Sequence, residues 1–140
     1  MNSLWIRRLS DNATIPCRAT EGSAGLDVFA SENHQIKPNR PVIVNTDIAI
    51  KCPRGTYARL TDRSSMVLKQ IRVHGGVIDG DYTGPINVVV YNYDVVDYEI
   101  RKGDRICQMI ITPVCFPVIT EVDELPGTAR GCSGFGSTGI

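Results

Sequence analysis

The chain reads as an all-β protein, a barrel or sandwich of short strands with one short helix and a mobile glycine-rich C-terminal arm. Three observations predict this. Its apolar residues fall in short alternating or continuous runs, at residues 26–30, 42–50, 56–60, 86–93, 97–100 and 105–112. Those runs are rich in Val, Ile, Thr and Tyr, which suit a pleated, half-buried surface. Turn-forming breaks separate them at residues 37–41, 52–55, 82–85 and 101–104, each holding Pro or Gly.

In order along the chain, residues 26–30 place Leu26, Val28 and Ala30 on one face. Residues 42–50 make a long strand bounded by Pro41 and Pro53, and 56–60 follow the turn at Gly55. Residues 64–71 differ: they predict about two helical turns with Asp62 or Ser64 as N-cap. Residues 75–87 carry four glycines and predict a tight hairpin. Residues 86–93, 97–100 and 105–112 complete the strand set. From Pro126 onward glycines at 127, 131, 134, 136 and 139 leave no packing pattern, so residues 126–140 form an arm on the domain of residues 1–125. Such an arm has little apolar surface to offset the entropy of ordering it.

At 140 residues the chain suits one domain, burying roughly two-thirds of its unfolded surface. A formal net charge of zero gives no broad footprint for a duplex or an anionic membrane, so stable binding to either is not expected. The N-terminal residues lack the apolar core of a secretory signal, and no apolar run approaches membrane-spanning length. Five cysteines without a Cys-x-x-Cys pair, and only two histidines, argue against zinc and for reduced thiols in the cytosol or nucleus.

Several segments carry chemistry. In the arm, Arg130 can fork onto a phosphate, Phe135 can stack on a base, and the glycines let backbone N–H groups approach phosphate oxygens. The mix of Arg130, Phe135, Ser137 and Thr138 reads as a lid. Asp79 and Asp81 lie two apart in the glycine-rich segment, which is either a set of turn formers or a slot for a planar ligand with Asp79 as general base and Tyr82 as a wall. Asp62-Arg-Ser-Ser65 precedes the helix and fits either simple capping or an anion site. Arg105 and Gln108 could flank the same anion, and Asp27 is a lone carboxylate after Gly25.

Taken together and in order, these segments closely resemble the trimeric deoxyuridine triphosphate nucleotidohydrolases (dUTPases). The resemblance rests on Ala24-Gly-Leu-Asp27, Arg63-Ser-Ser65, Gly76-Val-Ile-Asp-Gly-Asp-Tyr-Thr-Gly84, Gly103-Asp-Arg-Ile-Cys-Gln108 and Arg130-Gly-Cys-Ser-Gly-Phe-Gly-Ser-Thr-Gly139. It implies a jelly-roll-like fold, a homotrimer with shared sites, and Mg²⁺-dependent hydrolysis of dUTP to dUMP and pyrophosphate. By matching position, Asp79 is the catalytic base and Asp27 holds Mg²⁺ through water. Ser64, Ser65 and Gln108 contact phosphates, Arg63 stands with them, and Arg105 steadies the Asp79 region. Gly76 and Asn87 present main-chain groups to uracil, and Tyr82 packs on the deoxyribose. Arg130, Gly136, Ser137 and Thr138 wrap the terminal phosphate, with Phe135 on the base.

This sequence departs from the family pattern at several points. Asp62 and Ser65 stand where Pro and Gly are usual, Gly80 where an acidic residue is usual, and Cys107 where Ala is common. The carboxylate at 62 is expected to oppose a polyanionic ligand. Two rival readings are a dCTP deaminase, which would need a glutamate that residues 86–90 lack, and a non-hydrolytic nucleotide sensor.

Overall fold

A computed structural model describes residues 3–137 and 139 of the chain. Ten strands and one helical turn follow in order: β1 (Trp5–Arg8), β2 (Leu26–Phe29), β3 (His34–Ile36), β4 (Pro41–Lys51), β5 (Thr56–Thr61), α1 (Ser64–Val67), β6 (Ile71–His74), β7 (Val77–Ile78), β8 (Pro85–Asn92), β9 (Tyr98–Ile100) and β10 (Arg105–Pro113). They build two four-stranded sheets, ordered β1-β4-β8-β6 and β2-β10-β5-β7, and a two-stranded β3-β9 ribbon. Every pairing is antiparallel. The all-β expectation holds, as a jelly-roll-like sandwich.

Side-chain alternation explains why the sheets face one another. Along β8, Ile86, Val88, Val90 and Asn92 are buried while Pro85 and Asn87 are exposed. Along β4, Val44, Thr46, Ile48 and Ile50 turn inward. They meet Val28, Ala58, Leu60, Ile106 and Met109 of the second sheet in one core. Each fully buried Ile or Val there contributes about 1.5–3 kcal/mol. Asn92 is the polar exception: its amide donates to the carbonyls of Ile36 (2.9 Å) and Val96 (2.7 Å), so its burial leaves no orphaned donor.

Two local expectations fail. The helix is one turn, not two. Gln70 adopts φ +61° and its carbonyl accepts from Tyr93 N–H (2.8 Å), while Ile71 is drawn into β6 by burial. The N-cap is Arg63, with no side-chain cap bond, rather than Asp62 or Ser64. Residues 75–87 are also not a hairpin. β7 pairs with β5 and β8 pairs with β4 and β6, so the segment crosses from one sheet to the other.

The last strand ends at Pro113. Val114 N–H donates to Gly55 carbonyl (3.0 Å), and beyond it the arm's hydrogen bonds among the described residues stay within the arm, as from Ser133 N–H to Arg130 carbonyl (3.1 Å). Thr138 lies outside the described residues. All five cysteines are free, and Cys107 is fully buried, which pushes its thiol up to about 12, only partly offset by Arg63. Cys107 is therefore expected to resist alkylation at pH 8 in the folded protein and to react on denaturation. Mass spectrometry of iodoacetamide-treated protein checks this, and native labelling of Cys107 would contradict it.

Candidate active site

One cluster forms where β2 and β10 run side by side. Asp27 lies opposite Gln108, which in turn lies opposite Thr61 of β5. The Asp27 side chain is only 13% exposed, and two guanidinium groups approach it: Arg63 Nε at 3.3 Å and Arg105 Nε at 3.5 Å. These cations offset the cost of removing the carboxylate from water. Arg63 Nη1 also donates to Arg105 carbonyl (3.1 Å), tying the turn before α1 to the start of β10. Two arginines around one carboxylate leave the cluster net positive, a fit for an anion. Ser64 and Ser65 are exposed beside it at the first helical residues.

Gln108 is held from two sides. Its Nε2 donates to Asp62 carbonyl (2.9 Å), and Gly25 leaves the room that its side chain fills, because a Cβ at Gly25 would collide with Gln108 Oε1. The glycine of Ala24-Gly-Leu-Asp27 is thus a packing requirement of Gln108, a link between two motifs that sequence spacing does not reveal.

Asp62 is itself engaged by two partners. Its charge is not left facing the anion site: Oδ2 pairs with Arg72 Nε (2.8 Å) and Oδ1 accepts Val73 N–H (2.6 Å). The neighbouring cation, itself about half exposed, offsets part of the repulsion expected of that carboxylate.

The second group of predicted residues lies elsewhere on the chain. Gly76 has φ +82°, and a Cβ there would strike Leu60 carbonyl, so only glycine fits. Its own carbonyl accepts Leu60 N–H (2.7 Å). Asp79 is exposed just after β7, and Tyr82 N–H closes a turn onto its carbonyl (3.0 Å). Tyr82 folds back on Gly84, its Oη donating to Pro85 carbonyl (3.0 Å). Asn87 is exposed on β8, in the other sheet. A cavity of ≈ 390 Å³ includes Arg63, Ser65 and Arg105, and another of ≈ 920 Å³ includes Asp79, Gly80 and Phe116, which follows β10. Gly76, Tyr82 and Asn87 line neither.

Register gives the spacing between the two groups. Ile78 faces Ala58, so Asp79 lies three strands across and four residues along from Asp27. At about 4.8 Å per strand and 3.3 Å per residue, that is about 20 Å. In the arm, Arg130 Nε donates to Ser133 carbonyl (2.9 Å), and Phe135, Gly136 and Ser137 are exposed. Among the described residues, no arm residue contributes to the Asp27 cluster within this chain.

A jelly-roll sandwich with a net-cationic cluster at one strand end and an exposed carboxylate on a glycine-rich crossing defines an all-β protein equipped for a phosphorylated ligand. The comparisons are more particular. A dUTPase family model matches residues 11–139. A deoxyuridine 5'-triphosphate nucleotidohydrolase of Solanum lycopersicum is 43% identical over 136 residues, covering 96% of this chain and 80% of its own. That of Paramecium bursaria Chlorella virus 1 is 44% identical over 141 residues, covering 100% of both. Among solved structures, the dUTPase G164S mutant of Staphylococcus bacteriophage 80alpha with dUpNHpp superposes with a TM-score of 0.95 at 28% identity, covering 100% of both chains. The chain belongs to the dUTPase family.

Proposed function

We propose that this dUTP nucleotidohydrolase cleaves dUTP between the α- and β-phosphates, with Mg²⁺, to give dUMP and pyrophosphate. The observation that carries the reading is the convergence of Asp27, Arg63, Arg105 and Gln108, from segments far apart in sequence, into one net-cationic cluster. In this reading Ser64, Ser65 and Gln108 hold phosphate oxygens and the arginines spread their charge. Asp79 takes a proton from the attacking water. As the water oxygen bonds to the α-phosphorus, the bond from that phosphorus to the α,β-bridging oxygen breaks and pyrophosphate departs. Positioning and electrostatics suffice, with no covalent nucleophile. The reaction would limit uracil incorporation into DNA and supply dUMP for thymidylate synthesis.

The donor set suits the metal that the family implies. Among the described residues no three His, Cys, Asp or Glu side chains form a metal cage. Asp27 is paired with Arg63 and Arg105, so a hard cation that keeps several waters and takes its remaining ligands from phosphates would meet it through those waters, with the phosphates balancing the arginines. Bound there, Mg²⁺ would neutralise charge on the leaving pyrophosphate.

The base and the phosphate cluster of one chain are about 20 Å apart, while a general base must reach its proton directly or through one water. This supports a site shared between subunits of a homotrimer. The chain also offers surface to cover: Phe116, Val118 and Ile119, just past the last strand, are 81%, 91% and 96% exposed. The arm would then bring Arg130, Phe135, Gly136, Ser137 and Thr138 over the nucleotide. Five free thiols suit the cytosol or nucleus, and no described helix is long and apolar enough to cross a membrane.

Incubating the protein with Mg²⁺ and each deoxynucleoside triphosphate in turn tests the reading. It predicts dUMP and pyrophosphate from dUTP alone. Ammonia from dCTP, or no product at all, would replace it with deamination or with binding only. Sugar selection has its own test. Tyr82 is fixed by its bond to Pro85 and would leave no room for a ribose 2′-hydroxyl, so Tyr82→Ala is expected to raise the UTP-to-dUTP ratio of kcat/KM by about tenfold or more. An unchanged ratio would move sugar selection to another residue.

A further inference from the structure

Asp62 joins the two halves of the chemistry within one chain. Its main-chain carbonyl anchors Gln108 Nε2 at 2.9 Å, in the phosphate cluster, and it immediately precedes Arg63. Its side chain reaches the other way, to β6. Val73 N–H donates to Oδ1 at 2.6 Å, and Arg72 Nε pairs with Oδ2 at 2.8 Å. β6 is an edge strand, paired only with β8. An edge strand leaves main-chain N–H groups on its outer side without a partner strand, and Asp62 supplies the acceptor that a further strand would have given.

What lies beyond Val73 gives this bond its consequence. His74, Gly75 and Gly76 lead from β6 into β7, and both glycines have positive φ, +70° and +82°. The bend is bracketed by one short stretch of chain. On its near side Asp62 holds Val73 N–H, and on its far side Leu60 N–H holds Gly76 carbonyl at 2.7 Å. Two left-handed glycines in sequence have wide conformational freedom, so the position of Gly76 depends on the bonds at either end. The Leu60 bond belongs to main chain and exists whatever the side chains are. The Asp62 bond depends on one carboxylate.

We infer that Asp62 is a positioning residue for base recognition: it fixes the Val73–Gly76 bend and so sets where Gly76 meets the uracil ring. The inference rests on the reading of Gly76 as a uracil-contacting residue. Asp62 touches neither substrate nor reacting atoms in this account; it acts through Val73. Arg72 balances its charge, which lets a carboxylate sit one residue from a polyphosphate-binding arginine.

Hydrogen exchange and kinetics on the full-length protein test it together. In the unmutated protein the Val73 amide is expected to be protected like an interior strand amide, although β6 is an edge. Asp62→Ala should raise exchange at Val73–Gly76 and raise KM for dUTP by about tenfold, the scale of a lost hydrogen bond to a charged group, while kcat changes less. The preference for dUTP over dCTP should narrow with it. Asp62→Asn keeps an acceptor for Val73 N–H and should restore most of both. Arg72→Ala leaves the Val73 bond in place, so exchange at Val73–Gly76 should stay nearly unchanged, while loss of the half-exposed cation beside Asp62 should raise KM by less than about fivefold. Fast exchange of Val73 in the unmutated protein would overturn the inference even if the alanine variant failed to fold. So would unchanged exchange or KM in Asp62→Ala, or a loss that asparagine does not rescue. Absence of dUTP hydrolysis by the unmutated protein would instead remove the functional reading, and the exchange data would still decide whether Asp62 fixes the Val73–Gly76 bend.

Discussion

Asp79→Asn is expected to reduce dUTP turnover by about 10²–10⁴, the range contributed by a positioned general base, and so to abolish activity in a routine assay. Binding of dUTP should stay within about tenfold, because the carboxylate acts at the transition state. The structure gives the substitution little else to disturb. The Asp79 side chain is exposed, and what holds the turn is its main-chain carbonyl, which accepts Tyr82 N–H. Asparagine keeps the size and the backbone bond and loses only the basic oxygen. Single-turnover kinetics separate the two quantities. A near-normal rate would remove Asp79 from the mechanism, and a large loss of binding with an unchanged rate would make it a substrate-holding group.

Truncation after Leu125 has an effect of similar size for a different reason. In the proposed site it removes an arginine that forks onto phosphate and an aromatic ring that stacks on the base. A charge-assisted hydrogen bond contributes about 1.5–3 kcal/mol and a base–aromatic stack about 1–3 kcal/mol. Their combined loss predicts a fall in kcat/KM of about 10²–10⁴. Folding should survive, since the hydrogen bonds of the described residues beyond Leu125 lie within the arm and Phe135 packs against nothing. Thermal unfolding without nucleotide should therefore give nearly the same Tm as the full chain. A truncated protein with full activity would contradict the lid, and a collapsed Tm would make the arm part of the fold.

How much of this was legible in the sequence depended on whether the signal was local. The runs at 42–50, 86–93 and 105–112 became β4, β8 and β10 because their alternation records which face each residue buries. β1 went unseen because Trp5, Arg7 and Arg8 are all exposed, leaving no apolar period to read. Ile71, the first residue of β6, was taken for the end of a helix. The left-handed Gln70 and the pairing of Ile71 with Asn92 that divide it from α1 depend on β8, a strand distant in sequence. The glycine-rich stretch at 75–87 looked like a hairpin because turn residues do not say which sheet the next strand joins.

The site shows the same division. Asp27, Arg63, Arg105 and Gln108 were each visible as chemistry-bearing residues, and the fold brought them together. Asp62 was read as a candidate N-cap and, by its charge, as a repulsive neighbour of the phosphates. Its pairing with Arg72 and Val73 arises from chain reversal through α1, which composition and spacing do not encode. Gly25 was read only as the glycine before Asp27, and nothing in the spacing shows that Gln108 fills the room it leaves.

The central claim is that a complete site takes its base from one chain and its lid from another. Refolding equal amounts of the Asp79→Asn chain and the chain truncated after Leu125, each inactive alone, tests it most directly. With random mixing into trimers, about a quarter of sites receive Asp79 from a truncated chain and the arm from a full-length one. Activity near a quarter of the unmutated level is the predicted result. If each arm closes over its own chain's Asp79, no mixture can build a complete site, and mixed trimers that stay inactive would contradict the account.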